Sequence, residues 1–355
     1  MTSEVQTVLG RINSSQLGVT MMHEHLLADA AALYQAPAAP EDKRIAKNPI
    51  TIETVNWLRY HFANHRDNLK QDDAEIAIDE AMMFKLEGGN TIVDCTVTGM
   101  SPNPIGLADI SRATGLNVIA ATGLYVQPSH SPDIPQMSDE DLAQNMISDL
   151  TEGIDGTGIK AGIIGEIGCS WPLHKDERKA VVASSIASQS TGAAISIHPG
   201  RNEEAPKEII DVLLKTGARP EKIIMGHLDR TITDLHKLKE LAETGCYLEY
   251  DLFGQDISFY PLAPHIARIS DAQRIEFIEW LIYEGHINQI VLGQDAGAKV
   301  NLTKWGGHGY GHILRIVAPW MRQRGITDQH IRAMLVDNPK RALSIETEAS
   351  SIATG

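Results

Sequence analysis

Val19-Thr20-Met21-Met22-His23-Glu24-His25-Leu26-Leu27 is a short apolar run that closes on two histidines two residues apart. In an extended strand such residues point to the same side, so both imidazoles leave one strand together and a single cation could take both. Other apolar runs end the same way, each on one potential ligand: Ala161 to Gly168 with Glu166, Ala193 to Gly200 with His198, Lys222 to Asp229 with His227, and Gln289 to Gly297 with Asp295. Glu166 and His198 lie 32 residues apart and His198 and His227 lie 29 apart, each the length of one strand, one helix and their loops. The interval from His227 to Asp295 fits two such units. Ligands therefore recur at the repeat length of a β/α barrel.

Adding Thr91 to Val97, Asn117 to Gly123 and Cys246 to Phe253 brings the strand-like runs to eight. Helical patterns fall between them at Asp72 to Leu86, Ser138 to Glu152, Asp176 to Ser190, Glu203 to Lys215, Thr233 to Glu243 and Asp271 to Tyr283, several opened by a Ser, Thr or Asp cap. Such alternation implies a parallel sheet closed into a (β/α)8 TIM barrel, with a binuclear metal site at the C-terminal ends of the strands. Residues 1–345 are expected to form one domain and 346–355 a flexible tail, with fraying from Leu343 onward. Ala36 to Pro40 and Asn48-Pro49 mark irregular chain in the long first connection, which should cover the barrel mouth. A second long loop, Gly297 to His312, should form another wall.

With 43% apolar residues, a chain of 355 residues can bury one full barrel core. Acidic residues outnumber basic ones 46 to 31, which opposes binding to nucleic acid or anionic membranes. No run approaches the roughly 20 apolar residues of a membrane span, and Met1 to Gly10 lacks the pattern of a signal peptide, so a cytoplasmic protein is expected. The odd set of Cys95, Cys169 and Cys246 argues against a disulfide framework. Cys95 reads as core, and Cys169 follows Glu166 closely enough to face the pocket.

His23, His25 and Asp295 are expected to hold the more buried ion, His198 and His227 the more exposed one, with Glu166 bridging both. Imidazole and carboxylate suit zinc best, and also manganese, cobalt or iron. Lys160, the only lysine near the fourth strand, stands about 20 Å along an extended chain from Glu166, so no lysine carbamate is expected as the bridge. Glu166 and Asp295 are the catalytic carboxylates in this reading, Asp295 carrying a proton toward the leaving group. Arg201, Arg230 and Tyr125, just past strand ends, are candidate substrate contacts, as are His308 and Tyr310 in the last loop; a rim salt bridge is the alternative for each arginine, and the preferred one for Arg230. Asp229 is expected to orient ligands without touching metal. His61, His65, His174, His236, His265, His286 and His330 read as solvent-facing.

The stretches Met22-His23-Glu24-His25-Leu26, Gly162 to Leu173, His198-Pro199-Gly200-Arg201, His227-Leu228-Asp229-Arg230-Thr231 and Gly306-Gly307-His308-Gly309-Tyr310 resemble the phosphotriesterase-related proteins of the amidohydrolase superfamily. The resemblance runs from about Val5 to Leu343 and implies the same six ligands. It implies amide hydrolysis, since animal members cleave N-acetyltaurine to acetate and taurine, and hence a small acidic N-acyl substrate. A phosphotriesterase, a lactonase or a barrel that binds metal without catalysis are the alternatives, and barrel hydrolases of this kind often form homodimers. Where phosphotriesterases carry a proton-relay histidine after the seventh strand, this chain has Tyr250-Asp251-Leu252-Phe253.

Overall fold

Eight parallel strands, buried except at Asn117, run in chain order around one sheet: β1 Thr20–Glu24, β2 Thr91–Asp94, β3 Asn117–Thr122, β4 Ile163–Gly168, β5 Ile195–His198, β6 Ile223–Met225, β7 Tyr247–Tyr250 and β8 Ile290–Leu292. The computed structural model describes residues 3–346. β8 meets β1 just beyond its last paired residue, where the Asp295 N–H donates to the His23 carbonyl at 3.1 Å. All eight lie within the runs read from the sequence, and the barrel expectation holds.

Alternation sorts the side chains. Val93, Cys95, Ile119, Ala121, Ile224 and Val291 fill the interior, while Ile92, Val118, Ala120, Ile223, Met225 and Ile290 pack outward under the helices. The helices start where polar side chains accept the first free N–H groups: Asp73 caps Ala74–Leu86, Ser138 caps Asp139–Thr151 and Ser270 caps Asp271–Tyr283. A helix at Pro104–Thr114 escaped the sequence reading. So did two short helices, Pro40–Ile45 and Ile52–Tyr60, within the connection expected to be irregular. That connection does wall the barrel mouth, through Ala30, Leu33, Arg59 and Phe62. Fraying from Leu343 is corrected in part, because Ile345–Glu346 pairs with the start of Ser3–Thr7. The rest of the expected tail lies outside the described residues. Among those described, no helix is long and apolar enough to cross a membrane.

Two irregularities matter for function. Between Met21↔Ile92 and Glu24↔Asp94, β1 spends one residue more than β2, and between Ile164↔Ile195 and Ile167↔Ile197, β4 spends one more than β5. Each is a bulge, and a bulge shifts the inside-outside alternation by one. Ile163 already faces inward and Ile164 outward, so an unbroken β4 would send Glu166 out among the helices. The bulge turns it in.

Candidate metal centre and active-site cavity

Four imidazoles and two carboxylates meet at the C-terminal mouth of the barrel. Glu166 is central: Oε2 lies 2.6 Å from His198 Nδ1, 3.1 Å from His227 Nε2 and 3.5 Å from His23 Nε2, and Oε1 lies 3.4 Å from His25 Nε2. Asp295 Oδ1 is 3.2 Å from His25 Nε2, and His198 Nδ1 is 2.8 Å from His227 Nε2. His23 and His25 present their rings with centres 5.6 Å apart, as their spacing in the strand anticipates. All six expected residues are thus brought together around Glu166, whose Oε2 faces His198, His227 and His23 and whose Oε1 faces His25.

Backbone conformation helps to aim them. His227 and Asp295 adopt left-handed φ values of 52° and 46°, unusual for residues with a side chain. Such strain persists where the surroundings fix it, commonly at functional sites. Gly165, at the β4 bulge, has φ near 100°, and a Cβ there would lie 2.0 Å from the Ser196 carbonyl oxygen.

The cluster fits a cation. His23 Nε2 is buried, has no hydrogen-bond partner among the described residues and faces Glu166, while its Nδ1 is occupied by Glu249 Oε2 at 3.2 Å. A buried lone pair left unpaired is costly unless a ligand takes it. His227 is held likewise, its Nδ1 meeting Asp251 Oδ1 at 2.9 Å, and His25 Nδ1 meets Thr96 Oγ1 at 3.0 Å. Pairing at Nδ1 fixes the ring and leaves Nε2 for metal.

The electrostatics agree. Burial opposes charge on Glu166, yet the imidazoles of His198, His227 and His23 outweigh it and hold the carboxyl well below its usual range. Burial also works against Asp251, and His227 and His23 reverse it. Glu249 is pushed up to about 7 by burial, against the pull of His23. Burial lowers the affinity of His25 and His227 for protons, but the facing carboxylates raise their pKa to about 10 and about 9. A field that retains protons so firmly would also attract a metal ion, which must displace them.

Glu249 and Asp251 are the functional residues that the sequence reading passed over. Their signal was present: two acidic residues at strand spacing inside the apolar run Cys246 to Phe253. Asp229, assigned the orienting role, instead accepts from Arg274 Nε at 2.9 Å and the Leu252 N–H at 2.7 Å, so it braces the chain after Asp251. Asp251→Asn should weaken metal affinity about 10- to 100-fold, measured by competition with a chelating dye. Unchanged affinity would remove Asp251 from that role.

A cavity of about 440 Å³ opens above the cluster, lined by His25, Glu166, His198 and Asp295 and also by Tyr125, Arg201, Arg230, His308 and His312. Arg230 is no rim salt bridge: it is buried and donates to the Pro199 carbonyl at 3.2 Å, with Nη2 3.0 Å from His198 Nε2. His308 lines the wall as a neutral ring, its pKa brought down to about 4 by burial and His312. Tyr310 stands behind the wall instead, fully buried, its hydroxyl donating to the His25 carbonyl at 2.7 Å. Cys169 does not face the cavity; it is buried among the outer packing, which pushes its thiol up. His65, read as solvent-facing, is buried against the Asn48 carbonyl.

Comparison with known proteins gives the same frame. Residues 3–343 match the model of the phosphotriesterase family. The chain belongs to that family. It is 41% identical over 347 residues to human N-acetyltaurine hydrolase, covering 98% of this chain and 99% of that one. It is 39% identical over 362 residues to the N-acetyltaurine hydrolase of Dictyostelium discoideum, covering 96% and 98%. Among solved structures, it resembles a resiniferatoxin-binding protein from Rhodobacter sphaeroides with a TM-score of 0.93 at 32% identity, covering 96% of this chain and 94% of that one.

Proposed function

We propose that this protein is a metal-dependent hydrolase that cleaves the amide bond of N-acetyltaurine, or of a closely related N-acyl amino sulfonate or amino acid, to a carboxylic acid and the free amine. The observation that carries this reading is the convergence of four imidazoles and two carboxylates beneath a cavity whose outer wall bears guanidinium groups. His23, His25 and Asp295 would hold one divalent ion and His198 and His227 a second, with Glu166 shared; zinc suits such a set. When bound, two such ions supply Lewis acidity and make water acidic enough to react at neutral pH.

The protein's own groups do the rest. Glu249 and Asp251 keep His23 and His227 in the tautomer that offers Nε2 to the centre. Asp295, a quarter exposed and lining the cavity, takes the proton of the attacking water as the new C–O bond forms. It returns that proton to the amine nitrogen as the C–N bond breaks. Arg201 faces the substrate's anionic end, and Tyr125 packs its ring edge-on to His198 at 5.2 Å to shape the wall between.

The test is a side-by-side assay of N-acetyltaurine, N-acetyl amino acids, an acyl lactone and paraoxon with metal-loaded protein. N-Acetyltaurine is expected to exceed paraoxon and the lactone at least 100-fold in kcat/KM; a preference for either of those would replace this reading with a phosphotriesterase or a lactonase. Arg201→Lys is expected to raise KM for acidic amides about 10-fold with little change in kcat, because an ammonium cannot offer two parallel hydrogen bonds. An unchanged KM would refute the assignment of Arg201.

A further inference from the structure

The wall of the cavity carries a cluster of guanidinium groups. Arg201, Arg230 and Arg268 all line it, and Arg230 and Arg268 are buried. Among the described residues, no carboxylate comes within 4.0 Å of any of the three. Arg274, deeper in the same region, shows the contrast, with Asp229 at 2.9 Å and Asp271 at 2.6 Å. A guanidinium drawn out of bulk water with no carboxylate beside it favours an anion that can join it. In a chain with a net charge of −15, such a cluster stands out.

Tyr260 organises it. The residue is 5% exposed and lies in the chain between β7 and the helix Asp271–Tyr283. Its hydroxyl accepts from Arg201 Nε at 2.7 Å, and the guanidinium carbons of Arg201 and Arg268 each lie 5.3 Å from its ring centroid. Arg268 donates through Nε to the Ile257 carbonyl at 3.2 Å and through Nη1 to Gln255 Oε1 at 2.8 Å. Among the described residues, both Nη atoms of Arg201 and Nη2 of Arg268 are left without a protein hydrogen bond, and none of them is sealed from the cavity. Burial alone would raise the pKa of Tyr260, but the three arginines bring it below the usual tyrosine range, which reports their summed field.

We propose that Arg201 and Arg268 form a subsite for a tetrahedral oxyanion, the sulfonate end of the substrate, and that Tyr260 is the positioning residue holding the two guanidinium groups on one wall. This rests on, and deepens, the amide-hydrolase reading. Two guanidinium groups flanking one ring offer donors to three oxygen acceptors, whereas a planar carboxylate is satisfied by one. The subsite therefore selects sulfonates over carboxylates.

The probe is ethanesulfonate, which has no scissile bond, with propionate as its carboxylate counterpart, titrated calorimetrically into the metal-loaded full-length protein. Ethanesulfonate is expected to bind more tightly than propionate, and Arg268→Met and Tyr260→Phe should each weaken it at least 10-fold. In turnover, both variants should raise KM for N-acetyltaurine at least 10-fold more than KM for the neutral N-acetylethanolamine. Tyr260→Phe keeps the ring and removes only the hydroxyl, so it guards against simple misfolding, checked by its melting temperature. Equal losses on the acidic and neutral amides, or ethanesulfonate bound as well by the variants as by the wild type, would overturn the subsite. Should the wild type hydrolyse no amide yet bind ethanesulfonate through Arg268, the subsite stands and the proposed activity falls.

Discussion

Glu166→Gln is expected to leave a folded barrel that retains fewer than two metal ions per chain and loses at least about 1000-fold in kcat/KM, near 4 kcal/mol of transition-state stabilisation. The reason is position. Among the described residues, Glu166 is the one side chain within 3.5 Å of all four histidines, so removing its charge is expected to weaken the hold of all of them on a cation. Glutamine keeps the volume and one oxygen, but its NH2 group is no metal ligand and would face ring nitrogens that need their lone pairs free. Metal analysis after exhaustive dialysis, alongside steady-state kinetics and a melting curve, separates the possibilities. Two ions retained at wild-type affinity would show that Glu166 does not bridge. Lost metal with a lowered melting temperature would also show how far the centre supports the fold, since binding to the native state alone adds stability.

The parts of this site that were legible in the sequence are those that obey period and repeat. His198 follows Ser196 on the inward face of β5 without interruption, and Tyr247 and Glu249 of β7 lead to Asp251, just past that strand's end, in the same regular way. Strand spacing thus contained Glu249 and Asp251 as plainly as it contained His198. They were passed over because a carboxylate behind a ligand carries no motif of its own.

Glu166 illustrates the opposite case. Strict alternation from Ile163 would have pointed it outward, and only the extra residue at the bulge brings it to the centre. Reading it as a ligand relied on its place at a strand end, while the device that aims it, around Gly165, could be seen only in the structure. The left-handed turns at His227 and Asp295 were hidden for the same reason, since neither residue type announces a positive φ. Tyr260 and Arg268 were out of reach altogether. They lie in an irregular segment between β7 and the next helix, where no periodicity states which side chains meet, and their role follows from charges left unpaired in three dimensions.

Asp295→Asn separates holding metal from moving protons. Of the six clustered side chains, that of Asp295 is the most exposed, at 25%, and it lines the cavity where a substrate would rest. Asparagine preserves the shape and one carbonyl oxygen able to face His25, but it cannot accept a proton from water and pass it to a departing amine. Loss of a positioned general acid-base group typically lowers rates about 100- to 10,000-fold. That loss is expected here in kcat, with metal content near the wild-type value and KM for N-acetyltaurine little changed, because the guanidinium wall remains. Substrates with better leaving groups need less help from an acid. An acyl ester of a phenol should therefore be slowed less by the substitution than the amide is. Near wild-type turnover of the amide would assign proton transfer to another group, and an equal fall for ester and amide would mean that Asp295 acts only through the metal ion it would hold.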